Sequence, residues 1–206
     1  MKAVDFKQKA RLIYVTFCVI NFAVKKGACA LKNNLVLIGF MGTGKTSLGK
    51  MLANKLGCAF VDLDQKIEAD NNMSIPDIFK TFGEAHFRRL ERNAVNEVAQ
   101  RRGIVIATGG GTVKDPNNVQ ALKENGIMIC LTTSVDELLN RTAAQGERPV
   151  LDSHHKNQGD RRAAIEKLLN DRQQFYDQAD YKIDTTDWSP LKLVDDIMKM
   201  VRSREA

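Results

Sequence analysis

Gly39-Phe40-Met41-Gly42-Thr43-Gly44-Lys45-Thr46 fits the spacing G-x-x-x-x-G-K-[ST]. In that pattern, glycines let backbone N–H groups wrap a phosphate at a helix N-terminus. Lys45 would then reach the β- and γ-phosphates of a nucleoside triphosphate, and the Thr46 hydroxyl would ligate Mg²⁺. Next, Val61-Asp62-Leu63-Asp64 sets two carboxylates at i and i+2, on one side of an extended segment. One can hold Mg²⁺ or its water shell while the other hydrogen-bonds a hydroxyl that attacks the γ-phosphate. A helix N-cap is the structural alternative for Asp64.

Three further groups carry chemistry. In Gly83-Glu84-Ala85-His86-Phe87-Arg88-Arg89-Leu90-Glu91, a helix would put Glu84, Arg88 and Glu91 on one face, so that the acids orient the Arg88 guanidinium toward an anionic substrate group. The same spacing also describes a solvated ion-pair face. Thr108-Gly109-Gly110-Gly111-Thr112 follows an apolar run, and three successive glycines let a substrate approach the backbone itself. Arg148-Pro149 offers an arginine that could close on the phosphates. Arg172, in the helical pattern of Asn170-Asp171-Arg172 that ends near Tyr176, is unremarkable by itself.

The elements that would position these residues are legible around them. Asn34-Leu35-Val36-Leu37-Ile38 is a near-continuous apolar run, as a parallel strand covered on both faces requires. The helix from Thr46 carries Leu48, Met51, Leu52 and Leu56 and stops at Gly57. Apolar runs at 34–39, 58–62, 103–107, 126–131 and 181–184 alternate with helical patterns, predicting βαβ units and a parallel sheet. Residues 64 to about 100 form a helix-rich insertion with Ser74 as an N-cap and Phe87, Leu90, Ala94, Val95 and Val98 facing the core. The polar stretch 141–163 reads as a mobile cover. The last helix starts at Ser189-Pro190 and buries Leu193, Val194, Ile197, Met198 and Val201.

The 206 residues, 43% hydrophobic, suffice for one α/β domain with insertions. A net charge of +6 suits anionic ligands. The basic residues are dispersed and only 6% of residues are aromatic, so nucleic acid is not an expected partner and small phosphorylated or carboxylated ligands are. Cys18, Cys29, Cys58 and Cys130 form no C-x-x-C pair, a usage expected of a reduced, cytoplasmic protein. His86, His154 and His155 make no zinc cluster. Residues 1–33 are read as an extension of uncertain role, dispensable for catalysis. Their apolar part, Leu12 to Val24, is too short to span a bilayer, so no stable membrane insertion is expected.

Taken together, the loop Gly39 to Thr46, Asp62-x-Asp64, Gly83-Glu84-x-x-Phe87-Arg88-Arg89-x-Glu91, the triplet Gly109 to Gly111, Arg148-Pro149-x-Leu151 and Arg172-x-x-x-Tyr176 resemble shikimate kinase over residues 34 to about 200. The resemblance implies a P-loop NTPase fold of the nucleoside-monophosphate-kinase kind: three α/β/α layers about a five-stranded parallel sheet of order 2-3-1-4-5. It also implies a substrate-binding insertion at about 64–100 and a lid at about 141–163. The implied reaction is phosphorylation of shikimate by ATP with Mg²⁺, a step toward chorismate and the aromatic amino acids, by a protein able to work as a monomer. It would place ATP phosphates on Gly42, Thr43, Gly44, Lys45, Thr46 and Ser47, and Mg²⁺ on Thr46 with Asp62 in its water shell. The reacting hydroxyl would lie on Asp64, the substrate carboxylate between Arg88 and Arg172, and the Gly109–Gly110–Gly111 backbone beside it. Arg148 would swing in with the lid. Where relatives often carry an arginine near the adenine, this chain has Thr186-Asp187-Trp188-Ser189, and Trp188 could stack on the base. Two competing readings are a kinase of the same fold acting on another small hydroxy acid such as gluconate, and a non-catalytic nucleotide-binding module.

Overall fold

The computed structural model describes residues 31–143 and 158–205, Trp188 excepted. Its centre is strand β1 (Asn34–Gly39), with all six residues buried. Successive side chains of a strand point to opposite faces, and both faces of β1 are covered. Leu35 and Leu37 pack with Leu48 and Leu52 of α1 (Lys45–Leu56) and with Val194, Ile197 and Val201 of the last helix, α7 (Pro190–Glu205). Val36 and Ile38 pack on the other side with Phe87, Val95 and Val98 of α3 (Ile75–Ala99), Val119 and Leu122 of α4 (Pro116–Glu124), Leu138 of α5 (Val135–Ala143) and Ile165 of α6 (Gln158–Tyr176). Two apolar cores on the two faces of one sheet give three layers. They also explain why β1 reads as an unbroken apolar run rather than an alternating one.

The remaining strands are β2 (Ala59–Asp62), β3 (Ile104–Ala107), β4 (Gly126–Thr132) and β5 (Tyr181–Asp184), all parallel and in the order β2-β3-β1-β4-β5. The expected sheet is present, with strand bounds within one residue of those read from the sequence. Because every pairing is parallel, the carboxyl ends of β1, β2 and β3 lie at one edge. There the order turns about β1, the place where ligands bind in open α/β sheets.

Local chemistry ends the helices as the sequence anticipates. Gly57 takes a left-handed conformation (φ 66°) and its N–H closes on Ala53 and Asn54. The Ser74 hydroxyl accepts from Asp77 N, capping α3 with Pro76 in its first turn. One feature of α3 escapes the periodicity. Gly83, at φ 78° and ψ 171°, breaks the helix between Phe82 and Glu84. That region of backbone space is essentially reserved for glycine. The break re-aims the segment carrying Glu84, Arg88 and Glu91 independently of the turns before it.

Candidate active site

Three loops meet at the carboxyl edge of the sheet. The first is the glycine loop after β1. Gly44 caps α1 in a left-handed conformation with no side-chain hydrogen bond, and no acid lies in the first turn. The N–H groups of that turn and the positive end of the helix dipole are therefore suited to receive an anion. Lys45 is 8% exposed, and its Nζ donates to the carbonyls of Gly39 (2.9 Å) and Phe40 (2.8 Å). The ammonium is thus held within the loop's own curve. Gly42, Gly44, Lys45, Thr46 and Ser47 line a cavity of about 530 Å³ together with Asp62, Asp64, Thr108, Gly110 and Arg141. Thr43 turns away from it, its hydroxyl donating to the Phe40 carbonyl at 2.8 Å, so its side chain shapes the loop.

The second loop follows β2. Asp62 is the last strand residue and also the N-cap of α2 (Leu63–Asn71): its Oδ1 accepts from Asp64 N (3.1 Å) and Gln65 N (3.3 Å). Its Oδ2 accepts from the Thr46 hydroxyl at 2.6 Å. The capping role considered for Asp64 therefore belongs to Asp62. Asp64 lies in the first turn of α2, not on an extended segment. The two carboxylates still face the same space, because the turn from strand to helix brings both to the cavity wall. Spacing alone missed the capping because a cap residue is half in each element.

The third loop is the glycine triplet after β3, and each of its members touches a different charged side chain. A methyl group on Gly109 would come within 2.6 Å of Asp64 Oδ1, one on Gly110 within 3.4 Å of Arg172 Nη1, and one on Gly111 within 3.1 Å of Arg88 Nη1. Side chains here would displace the charges, so the sequence leaves bare backbone. Arg88 is held as the helical spacing predicts, with Nε and Nη2 donating to Glu84 (3.2 and 2.9 Å) and Nη1 to Glu91 (2.7 Å). Burial works against its charge, yet Glu91 and then Glu84 outweigh it and hold the guanidinium above its ordinary pKa. This is a built fork, not a solvated face, for Glu91 is 2% exposed. Arg172, 5% exposed, donates from Nη1 to the Gly110 carbonyl at 3.2 Å and lies over the Phe40 ring. Tyr176 donates its hydroxyl to the same carbonyl at 2.8 Å. Burial raises the Tyr176 phenol to about 12 against the opposing influence of Arg172, so it stays a donor.

Arg88, Arg172, Asp64, Gly109, Gly110 and Gly111 line a second cavity of about 580 Å³, walled by Ile75, Pro76, Phe79 and Phe87. The two cavities share Met41, Thr46, Asp62, Asp64 and Gly110. A phosphate-binding hollow thus opens onto a hollow carrying two guanidinium groups, with two carboxylates and a hydroxyl at the junction. Arg148 and Trp188 lie outside the described residues. So does the middle of the stretch read as a cover, residues 144–157.

Sequence reasoning overlooked several members. Arg141 and Thr142, counted with the cover, belong to α5 and pack on the phosphate loop. Arg141 Nη1 donates to the Gly42 carbonyl at 3.4 Å and Nη2 to the Thr185 carbonyl at 3.0 Å, while Glu137 holds its Nε at 2.6 Å. The Glu137/Arg141 i, i+4 spacing was the available signal. Phe79, Ile75 and Met41 gave none, since wall residues read as core.

A family model of shikimate kinase matches residues 41–202. Shikimate kinase of Hahella chejuensis is 45% identical over 176 residues, 84% of this chain and 89% of that protein. Shikimate kinase of Persephonella marina is 39% identical over 169 residues, 82% of this chain and 99% of that protein. Among solved structures, shikimate kinase from Acinetobacter baumannii in complex with shikimate is similar at TM-score 0.78 and 35% identity, covering 85% of this chain and 96% of that one. Shikimate kinase from Bacteroides thetaiotaomicron reaches TM-score 0.76 at 34% identity, over 82% of this chain and 98% of that one. The sheet order agrees with these matches, and the chain belongs to the shikimate kinase family.

Proposed function

We infer that the protein transfers the γ-phosphoryl group of ATP to the 3-hydroxyl of shikimate, giving 3-phosphoshikimate and ADP. The observation that carries this reading is the junction of the two cavities at Thr46, Asp62 and Asp64. A donor phosphate held over Gly42 to Ser47 would meet there a hydroxyl held on Asp64. The Asp64 carboxylate accepts the hydrogen bond of that hydroxyl and takes its proton as the new O–P bond forms. Arg88 and Arg172 clamp the substrate carboxylate, and the Gly110 backbone lies beside it, its carbonyl being already used by Arg172 and Tyr176. Two forks suit a carboxylate, and a carboxylate suits a polyol. Because phosphoryl transfer depends mostly on positioning and charge neutralisation, Lys45 supplies more of the rate than base strength at Asp64 does.

Thr46 and Asp62 would hold Mg²⁺, Asp62 through water. The donor set fits: a hydroxyl and a carboxylate 2.6 Å apart beside the phosphate loop are hard oxygen ligands. Among the described residues no cluster of three or more His, Cys, Asp or Glu could cage a metal, which suits an ion held mainly by phosphates and water. When bound, it neutralises charge on the β- and γ-phosphates. Within the stretch 141–163, the segment between α5 and α6 would act as a lid bringing Arg148 onto the phosphates, and residues 64–100 as the substrate-binding insertion. The protein works as a monomer in the cytoplasm, where ATP is supplied. Among the described residues no helix is long and apolar enough to cross a membrane.

The test is ADP release with ATP and Mg²⁺, comparing shikimate, gluconate and no acceptor, with Arg88→Ala alongside. Turnover only with shikimate, collapsing in the variant, is the expected result. Silence with shikimate and activity on gluconate would overturn the substrate, and binding of both ligands without turnover would mean a non-catalytic module.

A further inference from the structure

Arg88 carries five N–H donors. Nε and one N–H of Nη2 go to Glu84, and one N–H of Nη1 goes to Glu91. That count leaves one N–H on Nη1 and one on Nη2, two donors for a substrate carboxylate. Glu91 has a second oxygen, however, and a buried carboxylate next to a guanidinium gains by taking two of its N–H groups. Something must keep Glu91 to one.

That partner is Thr112. It is fully buried, and its hydroxyl donates to Glu91 Oε1 at 2.7 Å while Arg88 Nη1 occupies Oε2. Thr112 is fixed in turn: its N–H closes on the Gly109 carbonyl at 3.3 Å, and its carbonyl accepts from the buried Asn118 amide at 3.1 Å. It directly follows Gly111, whose Cα the Arg88 guanidinium lies against. The backbone turn that receives the substrate and the acid that holds the clamp are therefore tied at one hydroxyl.

We propose that Thr112 is a positioning residue for the substrate carboxylate: by occupying Glu91 Oε1, it confines Glu91 to a single bond with Arg88 and leaves a second N–H of Nη2 and of Nη1 to the substrate. Without the hydroxyl, Oε1 is buried without a donor, a costly state. The carboxylate then turns both oxygens onto Arg88 and draws the guanidinium toward α3. The proposal rests on the assignment of Arg88 to the acceptor carboxylate.

The experiment compares unmodified protein, Thr112→Val, which keeps the shape, and Thr112→Ser, which keeps the hydroxyl. Steady-state kinetics in both substrates are measured beside calorimetric titration with shikimate alone. In Thr112→Val the KM and Kd for shikimate should rise about tenfold, as loss of a hydrogen bond to a charged group predicts. The KM for ATP should stay within about twofold, kcat should fall far less than KM rises, and Thr112→Ser should recover most of the change. If Thr112→Val does not fold, Thr112→Ala replaces it in the same comparison. An unchanged shikimate KM in the folded Val or Ala variant, or a parallel fall of kcat with equal rises in both KM values, would overturn the role of Thr112. Unmodified protein inert toward shikimate would instead overturn the acceptor assignment on which it rests.

Discussion

At the scale of single residues, the clamp arginines differ in how they are held, and that difference sets what their replacement should do. Arg88 presents a planar fork anchored on two acids, so Arg88→Lys preserves charge and loses geometry. The KM for shikimate should rise about tenfold or more with ATP affinity retained, read from initial rates in each substrate. Tyr176 makes a different kind of contribution. Its hydroxyl bond to Gly110 is neutral and buried, so Tyr176→Phe should cost about 0.5–1.5 kcal/mol in urea unfolding. Burial places the phenol at about 12, above its ordinary value near 10. A group whose pKa rises on folding contributes stability that is fully present below the unfolded value and is lost as pH climbs through the folded one. The gap between the native protein and the Phe variant should hence be constant up to about pH 10 and shrink above it. A gap that shrinks between pH 6 and 9 would contradict this. The two aspartates show where sequence reading stops at this scale. Their presence at the site was readable from their order and from the loop before them. Which one caps α2 was not, since it depends on where β2 ends and α2 begins, a boundary decided by tertiary packing.

Among the elements, strands were legible and breaks within helices were not. Buried parallel strands announce themselves as short apolar runs, and β1, β3 and β4 are of that kind. Gly83 sits inside a continuous amphipathic pattern, so nothing in the periodicity marks it as a break; only its backbone angles do. A Cβ at Gly83 would meet nothing within 4 Å, so the obstacle to alanine there is conformational, not steric. Gly83→Ala should destabilise the protein by about 1–3 kcal/mol, or straighten α3 and shift Glu84 and Arg88 off the cavity. Destabilisation alone lowers the urea midpoint with the shikimate KM unchanged, whereas straightening raises that KM, so kinetics paired with urea unfolding separate the two. At α4, Asp115 caps the first turn through Asn117 N (2.9 Å) and accepts from Arg92 of α3. Asp115→Ala should cost about 1 kcal/mol as a lost cap and loosen the turn that follows the glycine triplet. Burial raises its pKa, but Arg92 and Asn117 outweigh it and the net displacement is downward. The contribution is then present above about pH 4 and fades as acid protonates the folded carboxyl.

Across the whole molecule, the sheet order decides what the chain can do, because it brings the ends of β1, β2 and β3 to a single edge. Hydrophobic runs predict that the strands are parallel, yet many orders satisfy the same runs. The order 2-3-1-4-5 was an expectation of the family resemblance, not of the runs themselves. The residues of the shared motifs also set a lower bound on the catalytic unit. The described residues that line the two cavities all lie beyond residue 40, and the family match starts at residue 41. The groups assigned to phosphate, hydroxyl and carboxylate all lie at residue 42 or beyond. A chain beginning at Leu31, which is itself part of the core against α1 and α7, should therefore keep kcat and both KM values within about twofold of the full-length protein, well under the tenfold that 1.4 kcal/mol would produce. Purifying both forms and measuring them side by side with shikimate and ATP decides the matter. A loss of turnover with an unchanged unfolding midpoint would give the first thirty residues a part in catalysis. A lowered midpoint with normal kinetics would make them a brace for the fold.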